Sequence, residues 1–265
     1  MSSPSQPQLP RRILTSAVAL PVIAAAMFLL PNALWSAVLV APLLVAGHEW
    51  ARLAQFERNG EWTFIGLLAI ACALLGLLAT RAADRVVYAV AVACWCVVAP
   101  CWMWLKLKVR SRVGMAAAGV MVLLPAWLAL ARLQQDAWQL LMLLTVVWVA
   151  DSAAYFAGHA CGRRKLAPSI SPGKTWEGVG GALAAVAVYA WLLRFAPLRD
   201  YDGLPYLLLF FAMTALSIVG DLFESWLKRC AGVKDSGSAF PGHGGMLDRI
   251  DGVSAAMPLA ALILH

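Results

Sequence analysis

Apolar stretches of membrane-spanning length recur along almost the whole chain, at residues 13 to 30, 32 to 47, 63 to 79, 86 to 105, 114 to 131, 138 to 157, 178 to 197, 204 to 223 and 246 to 264. Each is near the ~20 residues that a helix needs to cross ~30 Å of hydrocarbon. A backbone in lipid must satisfy its polar groups internally, and no alternation over roughly ten residues suggests a barrel, so helices are expected throughout. The expected fold is an all-α, polytopic integral membrane bundle with about nine transmembrane helices. The second stretch is short and carries Pro42, and the last is short unless its helix begins inside the polar run before it. With 62% hydrophobic and 13% charged residues, a water-soluble chain of 265 residues would have nowhere to hide its apolar side chains.

Orientation follows from the basic residues. With residues 1–12 as a cytoplasmic tail, the inner segments hold Arg11, Arg12, Arg52, Arg58, Lys106, Lys108, Arg110, Arg112, Arg163, Arg164, Lys165, Lys174, Lys228, Arg229, Lys234 and Arg249. The outer ends keep Arg81, Arg85, Arg132, Arg194 and Arg199. This bias places the polar connections 158 to 177 and 224 to 249 on the cytoplasmic side of an inner membrane. The first apolar run is expected to be a retained span, because Pro21 interrupts it, no small-x-small cleavage site ends it, and a second run follows at once. Four of the six cysteines lie in apolar runs, where a thiol behaves as a small hydrophobe, while Cys230 lies in the polar region and is open to thiol reagents.

No internal repeat or soluble domain is evident, so residues 13–135 are expected to form a transmembrane scaffold and 136–265 a catalytic transmembrane region. The scaffold's polar exception, His48-Glu49-Trp50-Ala51-Arg52, fits interfacial anchoring, since Trp and Arg favour that depth. In the second half, Asp151, Asp221 and Glu224 lie at or near span ends, where a carboxylate needs a partner or a cavity. Asp221, Glu224, Ser225 and Lys228 share one helical stripe. A loop rich in glycine and basic residues follows, with Gly237, Pro241, Gly242, Gly244 and Gly245 as breakers. Such a loop lets backbone amides approach an anion, and Lys228, Arg229, Lys234 and Arg249 add positive charge. Asp248 and Asp251 fall on one helix face beside it, a donor set that suits a hard cation such as Mg²⁺.

These residues resemble the signature of the phosphatidate cytidylyltransferase, or CDP-diacylglycerol synthase, family. The match runs without a gap through Ser225, Lys228, Arg229, Lys234, Asp235, Gly237, His243, Gly244, Gly245, Asp248, Arg249 and Asp251. Gly220-Asp221, Asp151-Ser152-x-Ala154-Tyr155 and the block from Gly162 through Ser171-Pro172-Gly173-Lys174-Thr175-Trp176-Glu177-Gly178 are also similar to the family. Upstream, only Glu49-Trp50 resembles it. His159 departs from the basic residue frequent in relatives, and Gly252 from a frequent serine.

The resemblance implies attack by the phosphate of phosphatidate on the α-phosphorus of CTP, giving CDP-diacylglycerol and pyrophosphate. It implies Asp221 and Asp248 as cation ligands with Asp251 behind them, and a Mg²⁺ centre with K⁺ as a possible second cation. Lys228, Arg229, Lys234 and Arg249 are then assigned to substrate phosphates, with Ser225, Lys174, His243, Gly244 and Gly245 as further substrate contacts. The implied partners are CTP, phosphatidate, membrane lipids and a second copy in a homodimer, with no nucleic acid. Two alternatives stand beside this: a cytidylyltransferase for a related lipid phosphate, and a transporter whose intramembrane carboxylates relay ions. The transporter reading predicts inverted repeats, which the sequence does not show.

Overall fold

The computed structural model describes residues 21–78, 80–109, 111–195, 203–237, 239 and 244–265. After helical residues 21–29 come α1 (Asn32–Val38), α2 (Val40–Leu53), α3 (Arg58–Leu78) and α4 (Arg81–Ala93). A π-helical turn at Cys94–Val98 joins α4 to α5 (Ala99–Trp104), followed by α6 (Arg112–Leu133) and α7 (Ala137–Cys161). Two short strands, β1 (Lys165–Ala167) and β2 (Ser171–Thr175), precede α8 (Trp176–Leu193), α9 (Gly203–Cys230) and α10 (Leu247–Leu264).

Among the described residues, seven helical runs are long and apolar enough to cross a membrane, with Asn32–Leu53 and Arg81–Trp104 each counted as one. α10 has the length of a span at 18 residues, but Asp248, Arg249 and Asp251 charge its first turns. The first expected span lies partly outside the described residues. Proline shapes both composite runs. Pro42 has no N–H for the carbonyl of Val38, and the helix breaks one residue later, at Leu39. Pro100 likewise cannot bond Cys96, and the wider π turn absorbs the mismatch.

Much of the outer surface is apolar. On α3 only Phe64, Leu68 and Cys72 are buried, one residue per turn, while Leu67, Ile70 and Leu74 are each more than half exposed. A helix apolar all round and buried along a single stripe is stable where its other faces meet lipid. Inside, indole N–H groups tie the N-terminal helices to α6: Trp35 donates to the Leu130 carbonyl, Trp50 to Met115, and Trp127 to Ser36. A buried indole needs such a partner.

Helices approach closely where residues are small. A Cβ at Gly181 would fall on Ala157, bringing α8 against α7, and one at Gly220 would fall on the Asp251 carbonyl, bringing α9 against α10. Gly252 on α10 faces Ser217 and Val147 in the same way. Small residues at crossings are the usual device for helix association in lipid. They also fix which side chains of α7, α9 and α10 face one another.

Polar contacts separate the two ends of the bundle. At one end Arg132 donates to Asp84 at 2.8 Å, and Gln134 bonds the Met27 and Leu30 carbonyls and accepts from Asn32. At the other, Arg112 pairs with Glu57, Lys174 with Asp221, and Glu49 with the start of α10. The connection 158 to 177, expected only as a polar linker, contains the antiparallel β1–β2 hairpin, with Lys165 opposite Thr175 and Ala167 opposite Ser171. Glu177 closes its base by accepting the Arg163 and Arg164 amides, and the Thr175 hydroxyl caps α8 by accepting from Gly178.

Candidate active site

α9 organises the site. Asp221, Glu224, Ser225 and Lys228 follow one another along its final turns, and partners reach them from three other segments. β2 delivers Lys174 onto Asp221, forming an ion pair with both side chains partly exposed. Ser225 sits one turn on, its hydroxyl 3.4 Å from the same aspartate. Asp151 of α7 and Asp251 of α10 lie within electrostatic range of Asp221 and Lys174, and Ser217 donates to Asp151 at 3.3 Å. Asp221 thus pairs with Lys174, and Asp151 and Asp251 add two further carboxylates within electrostatic range of that ammonium. Beside them opens a cleft of about 560 Å³, lined by Asp151, Lys165, Lys174 and Asp221 among others. His159, the departure noted in the sequence, stands on its wall with its ring parallel to that of Tyr155.

A second cluster lies one turn further along α9. Lys228 is 2.5 Å from Asp248 and 3.1 Å from Glu224, with all three side chains largely buried. The other oxygen of Asp248 accepts the Gly245 amide at 2.8 Å and the Ser236 amide and hydroxyl at 3.1 Å each. Gly244 turns the chain with φ of +85°, which glycine adopts freely, and a Cβ there would press on the Asp248 carboxylate. Asp248 is thus held on one side by loop amides and on the other by a lysine.

The expected site residues divide accordingly. Asp221 and Lys174 line the cleft, Ser225 and Asp251 lie near Asp221 behind it, and Lys228, Asp248, Gly244 and Gly245 form the second cluster. Asp221 and Asp248 contact different lysines. Arg229, Lys234 and Arg249 are exposed around the rim, and His243 lies outside the described residues. Among the described residues no three acidic, histidine or cysteine side chains form a ready-made metal centre. The chemistry of the donors still fits Mg²⁺, which commonly takes one or two carboxylates and completes its shell with water and phosphate oxygens.

The residue that local reasoning misplaced is Glu49. Only 3% exposed, it reaches from the end of α2 to accept the Met246 and Leu247 amides and the Ser236 hydroxyl, each at 2.9 Å. The one advance signal was its place beside Trp50 in the upstream family resemblance.

The sequence matches the model of the Cytidylyltransferase family over residues 10–265. The chain belongs to the cytidylyltransferase family. It is 38% identical over 269 aligned residues to a phosphatidate cytidylyltransferase of Pseudomonas aeruginosa, covering 97% of each protein. It is 34% identical to that of Thermotoga maritima, covering 84% of each. With that of Haemophilus influenzae it shares 50% identity over 123 residues, 45% of this chain and 43% of the relative. The exposed connection after α5 carries Lys106 and Lys108. There Lys106 adopts a positive φ and is exposed, and its charge is suited to ~1 kcal/mol of attraction to anionic headgroups. Lys106→Ala is expected to leave turnover within about twofold of the parent while weakening membrane association or expression, as measured by turnover per mole of purified protein and by yield.

Proposed function

We propose that this cytidylyltransferase joins CTP to phosphatidate, releasing pyrophosphate and forming CDP-diacylglycerol, at the cytoplasmic face of an inner membrane. The observation that carries the reading is the pair of lysine-capped carboxylates on α9 and α10, Lys174 on Asp221 and Lys228 on Asp248. Both lie at the membrane end where the basic rim and the cleft are found.

A phosphomonoester has a second pKa of ~6, so near neutral pH the lipid phosphate is already largely ionised and needs no strong base. The barrier to overcome is repulsion between two polyanions that must meet in line. Lys174 and Lys228 each hold a proton-rich ammonium beside a carboxylate, ready to turn to a phosphate oxygen when substrate arrives. Arg229, Lys234 and Arg249 draw both anions to the rim, and the loop amides at Gly244 and Gly245 add uncharged donors. Ser225 and His243 complete the substrate contacts of the proposal. Asp221 and Asp248, with Asp251 behind them, would hold Mg²⁺, and K⁺ is the candidate for a second cation. When bound, Mg²⁺ supplies charge neutralisation at the triphosphate. The cleft volume falls within the usual range for small-molecule sites. A homodimer belongs to the same proposal, and light scattering on detergent-solubilised protein tests it.

The deciding experiment supplies purified protein with labelled CTP, with and without phosphatidate, across a Mg²⁺ titration. CDP-lipid and pyrophosphate are expected in equal amounts, only with phosphatidate and only with the divalent cation. CTP consumption independent of lipid, or preference for a different lipid phosphate at equal concentration, would refute the substrate pair.

A further inference from the structure

Glu49 lies 187 residues from Ser236 and 198 from Leu247 in sequence, yet its carboxylate sits among their donors. A helix begins with several N–H groups that have no partner within it. At the start of α10 those groups are met by two carboxylates. Asp248 takes the Gly245 amide, and Glu49 takes Met246 and Leu247. The Ser236 hydroxyl lies within hydrogen-bond distance of both acids and can donate its single proton to either one. The surroundings are shaped to admit Glu49. A Cβ at Gly237 or at Gly245 would fall on its carboxylate, so both positions must stay bare. Burying a carboxylate is costly, and an apolar contact would hold two helices together at lower cost. What the acid supplies instead is direction, because its bonds fix how α10 starts and hence where Asp248 and Lys228 point.

We propose that Glu49 is a positioning residue, clasping Ser236 to the first turn of α10 so that Asp248 keeps its pairing with Lys228 at the site. Glu49 touches neither substrate; it acts through the geometry of Asp248. The consequence for catalysis rests on the cytidylyltransferase reading, whereas the clasp itself does not.

Two measurements on full-length protein test this: amide hydrogen exchange of the 245–248 segment, and steady-state kinetics for each substrate. In Glu49→Ala, exchange at Met246 and Leu247 should accelerate at least ~10-fold. kcat should fall about 10²-fold, the scale of a misplacement near 1 Å, with the KM for phosphatidate within about threefold of the parent. Glu49→Gln keeps one acceptor oxygen and should fall between parent and alanine variant in both readouts. Ser236→Ala removes the shared hydroxyl alone and should lower kcat by about fivefold to tenfold with little change at Met246 and Leu247. Unchanged exchange in Glu49→Ala would overturn the clasp, and accelerated exchange with full kcat would overturn its role in positioning. If Glu49→Ala does not fold, the other two variants decide, and full turnover in both would overturn the proposal. If the parent consumes no CTP with phosphatidate, the functional reading fails while the exchange result still reports on the clasp.

Discussion

Asp248→Asn is expected to lower CDP-lipid formation by about 10³-fold, roughly 4 kcal/mol of transition-state stabilisation, while the protein stays folded in the membrane. Asparagine keeps an oxygen for the Gly245 and Ser236 amides, so the loop keeps its anchor. Lys228 keeps Glu224 at 3.1 Å, so its charge is not left alone in a buried site. What disappears is one negative charge at the point where the proposal places a cation. Turnover of labelled CTP into lipid, measured beside the elution profile in detergent, checks both halves. Retention of most activity would remove Asp248 from the cation role.

The second large effect is one in which binding and turnover move in opposite directions. Lys174 is the ammonium among Asp151, Asp221 and Asp251, and it is paired to Asp221. In Lys174→Met those acids repel one another without a positive partner, and a divalent cation becomes the best available substitute. Affinity for Mn²⁺ in the absence of nucleotide should therefore rise by about tenfold, read from the free-ion resonance signal. Turnover should fall at least about 100-fold, because the triphosphate loses a charged contact. Losses in both cation affinity and turnover would show that Lys174 supports the fold of the hairpin instead of serving the substrate.

Much of this architecture is legible in the sequence because lipid imposes a local rule. Each span must be apolar over its own length, so α3 or α9 can be recognised without knowing its neighbours. The charged signature from Ser225 to Asp251 is equally local, and its stripe along α9 survives as the Glu224–Lys228 pair. What the sequence hides is pairing at a distance. Nothing near Glu49 reveals that its partners lie at Ser236, Met246 and Leu247, and composition alone makes it resemble an interfacial anchor. The assignment of Asp221 to Lys174 and of Asp248 to Lys228 depends on how α9 crosses α10 at Gly220 and on where the β1–β2 hairpin lands. The hairpin itself is too short for periodicity to announce it, being three and five residues long. The π turn before Pro100 is hidden for a related reason, since a proline signals a disturbed helix without saying how the backbone absorbs it.

The most direct test of the central claim, that carboxylates from α9 and α10 together hold a cation against a nucleotide triphosphate, is Mn²⁺ binding followed by electron paramagnetic resonance with CTP present. The parent protein should take up Mn²⁺ with CTP, and both Asp221→Asn and Asp248→Asn should lose that uptake by tenfold or more. Undiminished uptake in both variants would place the cation elsewhere and leave the two aspartates without the work assigned to them.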